Sequence, residues 1–168
     1  MFACTNLLAR NTDRFFAVAT HQHSTHHEIH AHASELMGKC GQRYTQSRKE
    51  IVSAIAKYAQ PVGIADLLNV LKELPQSSLY RNLTVLQEAG VVTRVMSSQD
   101  GGLYELAEGL TGHHHHLVCS VCGDVRDVVV PDALEHDLDA ALLRLAKREG
   151  FSLDHHRLDL IGRCAKCS

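Results

Sequence analysis

Four of the six cysteines form two pairs, Cys119-x-x-Cys122 and Cys164-x-x-Cys167, and this spacing points to metal chemistry. A C-x-x-C turn folds tightly enough to offer two sulfurs to one ion, and two such turns supply the four thiolates of a tetrahedral zinc site. Gly123 directly follows the first pair and suits a tight knuckle. The gap from Gly123 to Arg163 is 41 residues, longer than in simple zinc ribbons. A strand, a helix and a returning strand are expected to fill it, so that the metal ties the end of this segment to its first hairpin. In a reducing compartment the pattern favours metal over disulfide. A redox C-x-x-C usually opens a helix, whereas Cys164 to Cys167 lies beside the last residue of the chain. Cys4 and Cys40 have no partner by spacing.

Histidine is the second chemical signal, with 13 copies in three clusters. His113, His114, His115 and His116 run directly into Leu117, Val118 and Cys119. On a strand, side chains alternate between faces. His113 and His115 then point one way and His114 and His116 the other, so one strand can feed two metal sites. Imidazole binds zinc, iron, nickel and manganese. Candidate companions are Glu105, Asp127, Glu135 and His156. Six more histidines fall between His21 and His32. They read as a mobile polar tail, with an accessory metal-loading arm as the functional alternative. His27-Glu28-Ile29-His30 is not a zinc-protease motif, because its histidines are three apart instead of four.

The elements that must position these residues fall into two groups. Thr45 is a plausible cap for a helix over 45–59, with Ile51, Val52, Ile55 and Tyr58 at helical spacing. Pro61 ends it, and a second helix carries Ile64, Leu67, Leu68 and Leu71. Pro75 breaks that one. A third helix is expected from Ser77 or Ser78, with Leu79, Leu83 and Leu86 on one face and Gly90 as its stop. Val91–Val95 and Leu103–Leu106 read as strands around an Asp-Gly turn. Three helices and a hairpin are the parts of a winged helix, and none of them can bury its stripe alone. Beyond a short link, His116–Cys119 and Val125–Val130 read as strands, Pro131–Glu149 as a helix and Phe151–Ile161 as a strand. That helix places Leu134, Leu138, Ala141, Leu142 and Leu145 on one stripe. The fold class is therefore α/β (α+β). A His-rich extension is expected over 1–40, a winged helix, a fold of the DNA-binding helix-turn-helix type, over 41–107, and a separate small α/β metal-binding domain over 112–168.

Bulk properties agree. Hydrophobic residues make up 45% of the chain, enough for a buried core. No apolar run reaches the roughly 20 residues of a membrane helix, and no signal peptide is read at the N-terminus. A cytoplasmic location without membrane contact is expected. The net charge is −2, but residues 41–100 carry seven basic and five acidic residues, while 101–168 carry seven and eleven. The first segment can face phosphate and the second suits cations.

The sequence resembles the ferric uptake regulator family over residues 41–167. The stretches that carry the likeness are Arg43-Tyr44-Thr45-Gln46-Ser47-Arg48, Ser78-Leu79-Tyr80-Arg81-Asn82-Leu83, His113 through Gly123, His155-His156-Arg157-Leu158 and Gly162-Arg163-Cys164, in family order. The resemblance implies a homodimer that binds double-stranded operator DNA when loaded with a divalent metal corepressor, iron or zinc, with nickel or manganese as variants. It implies a structural zinc on Cys119, Cys122, Cys164 and Cys167. It implies a regulatory site on Glu105, His114, His116 and Asp127, and a further site on His113, His115, Glu135 and His156. Arg43, Arg48, Ser78, Tyr80 and Arg81 match the family's DNA contacts. The function implied is a repressor of metal-homeostasis genes and not an enzyme. The alternatives are a metal-storage or chaperone protein, or a nickel- or peroxide-sensing member. The sequence departs from the pattern in two regions. Gln60, before Pro61, stands where the family commonly has a histidine, and Leu106 and Ala107 stand where zinc sensors often have a cysteine.

Overall fold

The computed structural model describes residues 25–58, 60–95 and 102–168, which fall into two compact units that divide between Gly112 and His113. In the N-terminal unit, helix α1 (His26–Lys39) opens on a reciprocal cap. The Glu28 amide donates to Thr25 Oγ1 at 3.4 Å, and the Thr25 amide donates to the Glu28 carboxylate at 2.6 Å. Ile29, Ala33 and Met37, spaced at i, i+4 and i+8, are buried. The helix at the end of the histidine-rich stretch therefore supplies core residues; His21 and His23 lie outside the described residues.

Helices α2 (Gln46–Tyr58), α3 (Ile64–Val70) and α4 (Gln76–Glu88) follow. The last begins earlier than Ser77, with Pro75 at its cap position and no side-chain cap. The Pro75 carbonyl starts the ladder by accepting from Ser78 and Leu79, so neither serine is needed as a cap. Gly90 (φ 71°) ends it in the left-handed region that favours glycine. Strands β1 (Val62–Gly63), β2 (Val92–Val95) and β3 (Leu103–Leu106) form an antiparallel sheet in the order β1-β3-β2. The turn expected between β2 and β3 falls largely at 96–101, outside the described residues. A short helix α5 (Glu108–Thr111) closes the unit and buries Leu110. The core joins α1, α2, α3, α4 and the sheet through residues such as Met37, Ile51, Leu67, Leu79, Leu83, Leu86 and Val92. This is a winged-helix arrangement with one extra packed helix in front.

The C-terminal unit contains β4 (His115–Cys119), β5 (Val125–Val128), α6 (Asp132–Arg148) and β6 (Asp159–Gly162). Its strand order is β5-β4-β6, with β4 antiparallel to β5 and parallel to β6. The returning strand is shorter than expected. Residues 151–158 are irregular, and pairing with β4 starts where the His116 amide donates to the Leu158 carbonyl. Strand β4 begins at His115, one residue before His116, its first partner in β6. Helix α6 buries none of its residues, and Leu134 and Leu145 are about half exposed at 56% and 46%. Among the described residues of this unit, Cys119 and Val125 are the buried apolar ones.

Candidate metal centres and the exposed face of helix α4

Cys119 ends β4, and the chain turns at once into the knuckle that carries Cys122. The Gly123 amide donates to the Cys119 carbonyl, and Gly123 has φ 72°. The second pair follows β6, whose register sets Gly162 beside Cys119. All four sulfurs lie within 4.8 Å of one another, and Cys122 Sγ is 3.7 Å from Cys164 Sγ. A zinc–sulfur bond of about 2.3 Å gives a tetrahedral sulfur–sulfur edge of about 3.8 Å. The amides of Cys122, Cys164 and Val121 aim at Cys119 Sγ and hold its thiol down at about 6. Hydrogen bonds from Cys164 and Cys122 push the Cys167 thiol up to about 12. Four thiolates therefore cannot coexist here without a cation, and the donor set fits zinc.

The strand of histidines alternates as its sequence requires. His115 is buried, and its Nε2 lies 2.8 Å from Glu135 Oε2. His113 Nε2 and His156 Nε2 each lie 3.1 Å from Glu135 Oε1. Glu135 comes from the first turn of α6, and His156 from the irregular segment before β6. His156 Nε2 and Glu135 Oε1 are buried, and their close approach lacks hydrogen-bond geometry. Lone pairs that converge without a shared proton are the arrangement a metal ion completes. Asp139 Oδ1 sits 3.0 Å from His156 Nδ1 and fixes the ring so that Nε2 faces Glu135. Desolvation pushes the Glu135 carboxyl up. The His115 hydrogen bond and the charges of His115, His113 and His156 outweigh it and leave the group below its usual range.

On the opposite face, His114 and His116 stack edge to face with centroids 5.2 Å apart. His116 Nε2 lies 3.7 Å from Asp127 Oδ1, and the β4–β5 register sets these two residues opposite each other. His116 Nδ1 lies 3.2 Å from Asp159 Oδ1 on the other neighbouring strand. Asp159 and Asp139 are further carboxylates at these sites. Both orient a ring through its second nitrogen, and neither belongs to a motif; only strand register and helix phase reveal them. Glu105 stands on β3 of the N-terminal unit, opposite Thr93. Gln60 is exposed in the link between α2 and β1.

In the N-terminal unit, Leu79, Leu83 and Leu86 are buried, which turns Tyr80 and Arg81 outward, with Tyr80 43% exposed. Ser78 is half-buried and Arg43 is exposed. Arg48 Nε donates to Asn82 Oδ1 at 3.1 Å, and its Nη1 donates to the Arg43 carbonyl. Asn82 Nδ2 donates in turn to the Ser78 carbonyl at 2.9 Å. Arg48 is thus a strut that fixes α4 against the start of α2.

A sequence model of the ferric uptake regulator family matches residues 39–161. The chain belongs to the ferric uptake regulator family. The ferric uptake regulation protein of Bordetella parapertussis is 34% identical over 95 residues, which span 56% of this chain and 63% of that protein. The ferric uptake regulator of Helicobacter pylori has the same fold, with a TM-score of 0.67, 22% identity and coverage of 85% of this chain and 93% of that one. A zinc uptake regulator in complex with zinc and DNA gives a TM-score of 0.55 at 25% identity, over 85% of this chain and 95% of that one. Among the described residues, no helix is long and apolar enough to cross a membrane.

Proposed function

We propose that this member of the ferric uptake regulator family is a homodimeric, metal-responsive repressor that binds operator DNA when a regulatory divalent ion, iron or zinc, is loaded. The observation that carries the reading is the single strand β4, whose successive histidines belong to different donor sets and whose last residue is a zinc-type cysteine. His114, His116 and Asp127 offer two imidazoles and a carboxylate on one face, and Glu105 is the proposed donor from the winged helix. His113, His115, Glu135 and His156 form the second proposed site. The four cysteines hold structural zinc.

The ion at the regulatory site supplies positive charge and bonds that fix its donors. The chain's residues do the rest. Helix α4 enters the major groove with Tyr80, Arg81 and Ser78 toward bases and phosphates, while Arg43 and the Arg48 strut set its approach. The unburied stripe of α6 is the surface for the second copy. A dimer must hold its two recognition helices about one DNA turn apart, or a multiple of it. Metal binding favours that spacing only in so far as the competent state binds it more tightly.

The test is a binding titration with labelled operator fragments and dimeric protein, first stripped of loosely bound metal and then supplied with single metals. Restoration of specific binding by iron or zinc is expected. If no metal restores it, the repressor reading fails. Storage is the weaker reading, since a storage protein has no use for the exposed Tyr80 and Arg81 on a winged helix.

A further inference from the structure

Helix α1 carries a polar cluster that neither the cysteine site nor the β4 histidines use. His26 and His30 are one helical turn apart, and their Nε2 atoms lie 3.2 Å from each other. Ser53 Oγ on α2 lies 3.2 Å from His26 Nε2 and 3.0 Å from His30 Nε2. Three polar atoms from two helices thus form a nearly equilateral triangle. A ring nitrogen has one lone pair or one proton and cannot serve two neighbours well at once. Hydrogen bonds can run from His26 through the Ser53 hydroxyl to His30, but the direct His26–His30 edge then brings two ring nitrogens to 3.2 Å with no proton between them. A metal–nitrogen bond of about 2.0–2.1 Å sets neighbouring donors about 2.8–3.0 Å apart in an octahedron and about 3.3–3.4 Å apart in a tetrahedron, and the three edges fall within that span.

The surroundings prepare the rings for this task. His30 Nδ1 lies 2.7 Å from Tyr44 Oη. With the proton on Nδ1 donated to the phenol oxygen, Nε2 keeps its lone pair toward the triangle. Burial raises the Tyr44 phenol to about 12, so it stays protonated. Burial and the charges of His26, Lys49 and His27 lower the His30 pKa, which keeps the ring neutral and able to ligate. Lys49, whose ammonium sits 5.9 Å from the Tyr44 ring centroid, opposes a cation. His26 is exposed, so water can complete the coordination.

We propose that His26, His30 and Ser53 form an accessory site for an imidazole-seeking divalent transition metal, which staples α1 to α2 in the DNA-binding unit. Neutral donors and open coordination make it weaker than the four-cysteine centre. It binds metal whether or not the chain represses transcription.

Zinc is the probe. Full-length protein is titrated against a chromophoric chelator to count bound equivalents, and the histidine ring signals are followed by NMR. His26→Gln and His30→Gln should each lose one weak equivalent, with the tighter ones retained, while His32→Gln, on the same helix, loses none. Tyr44→Phe should keep the equivalent but bind it about tenfold more weakly, as outer-shell losses do. In the wild type, zinc should shift the His26 and His30 signals together. His26 is exposed, so His26→Gln tests the site even if His30→Gln fails to fold. The proposal is overturned if His26→Gln binds as many equivalents as wild type, or if His32→Gln loses the same equivalent.

Discussion

Replacing Cys119 by serine should unravel the C-terminal unit while the N-terminal unit stands. The serine hydroxyl is not ionised near neutral pH and cannot replace the thiolate that three amides hold down at about 6. Ordering each residue costs about 1.5 kcal/mol in conformational entropy. The unit His113–Ser168 has only Cys119 and Val125 as buried apolar residues to offset that cost. A structural zinc contributes about 10–16 kcal/mol in small four-ligand domains, as much as the entire stability of a typical domain, about 5–15 kcal/mol. The N-terminal unit has its own core around Met37, Ile51, Leu83 and Leu86. Hydrogen exchange read by peptide should therefore show lost protection over β4, β5 and β6 and unchanged protection over α2 and α4. Elemental analysis should show less zinc, and size exclusion should show a monomer. A zinc-depleted Cys119→Ser protein that keeps its dimer and the protection of β4 would refute the reasoning.

Further outcomes follow from the same geometry. Leu83→Ala empties a buried position in the core of the N-terminal unit and should cost that unit about 2–5 kcal/mol, read from its denaturant unfolding. Arg81→Ala should weaken operator binding in the metal-loaded protein and flatten its salt dependence by about one unit of slope, while the zinc content stays constant. Glu135→Gln should reduce metal uptake at the site it shares with His113, His115 and His156, and competition by protons should weaken uptake further as pH falls through the histidine range; uptake equal to wild type at every pH would contradict the assignment. Tyr44 should titrate near 12 by ultraviolet absorbance, a step that Tyr44→Phe abolishes. The folded value is raised above that of the unfolded chain, so its stabilising contribution is complete below about 10 and is lost as pH rises toward 12.

Much of this protein is legible in the sequence because the signals are local. Two C-x-x-C pairs specify a four-sulfur centre wherever the chain brings them together. Four consecutive histidines specify two faces, because alternation is a property of any strand. Leu79, Leu83 and Leu86 fix which side of α4 is buried, and so leave Tyr80 and Arg81 outside.

Other features depended on contacts between distant segments. Asp159 meets His116 only because β6 pairs with β4 in one register, and a shift by one residue would turn it to the other face. Asp139 meets His156 because helix phase sets it one turn after Glu135. Residues 151–158 alternate like a strand but are not one, since β4 is too short to pair with them. The histidines of α1 read as a polar tail in the sequence, because Ser53 and Tyr44 lie far along the chain from them. The sequence by itself determined the donor types and the faces they occupy. Only the tertiary structure decided which donors meet, because that depends on strand register and on helix docking through Ile29, Ala33 and Met37.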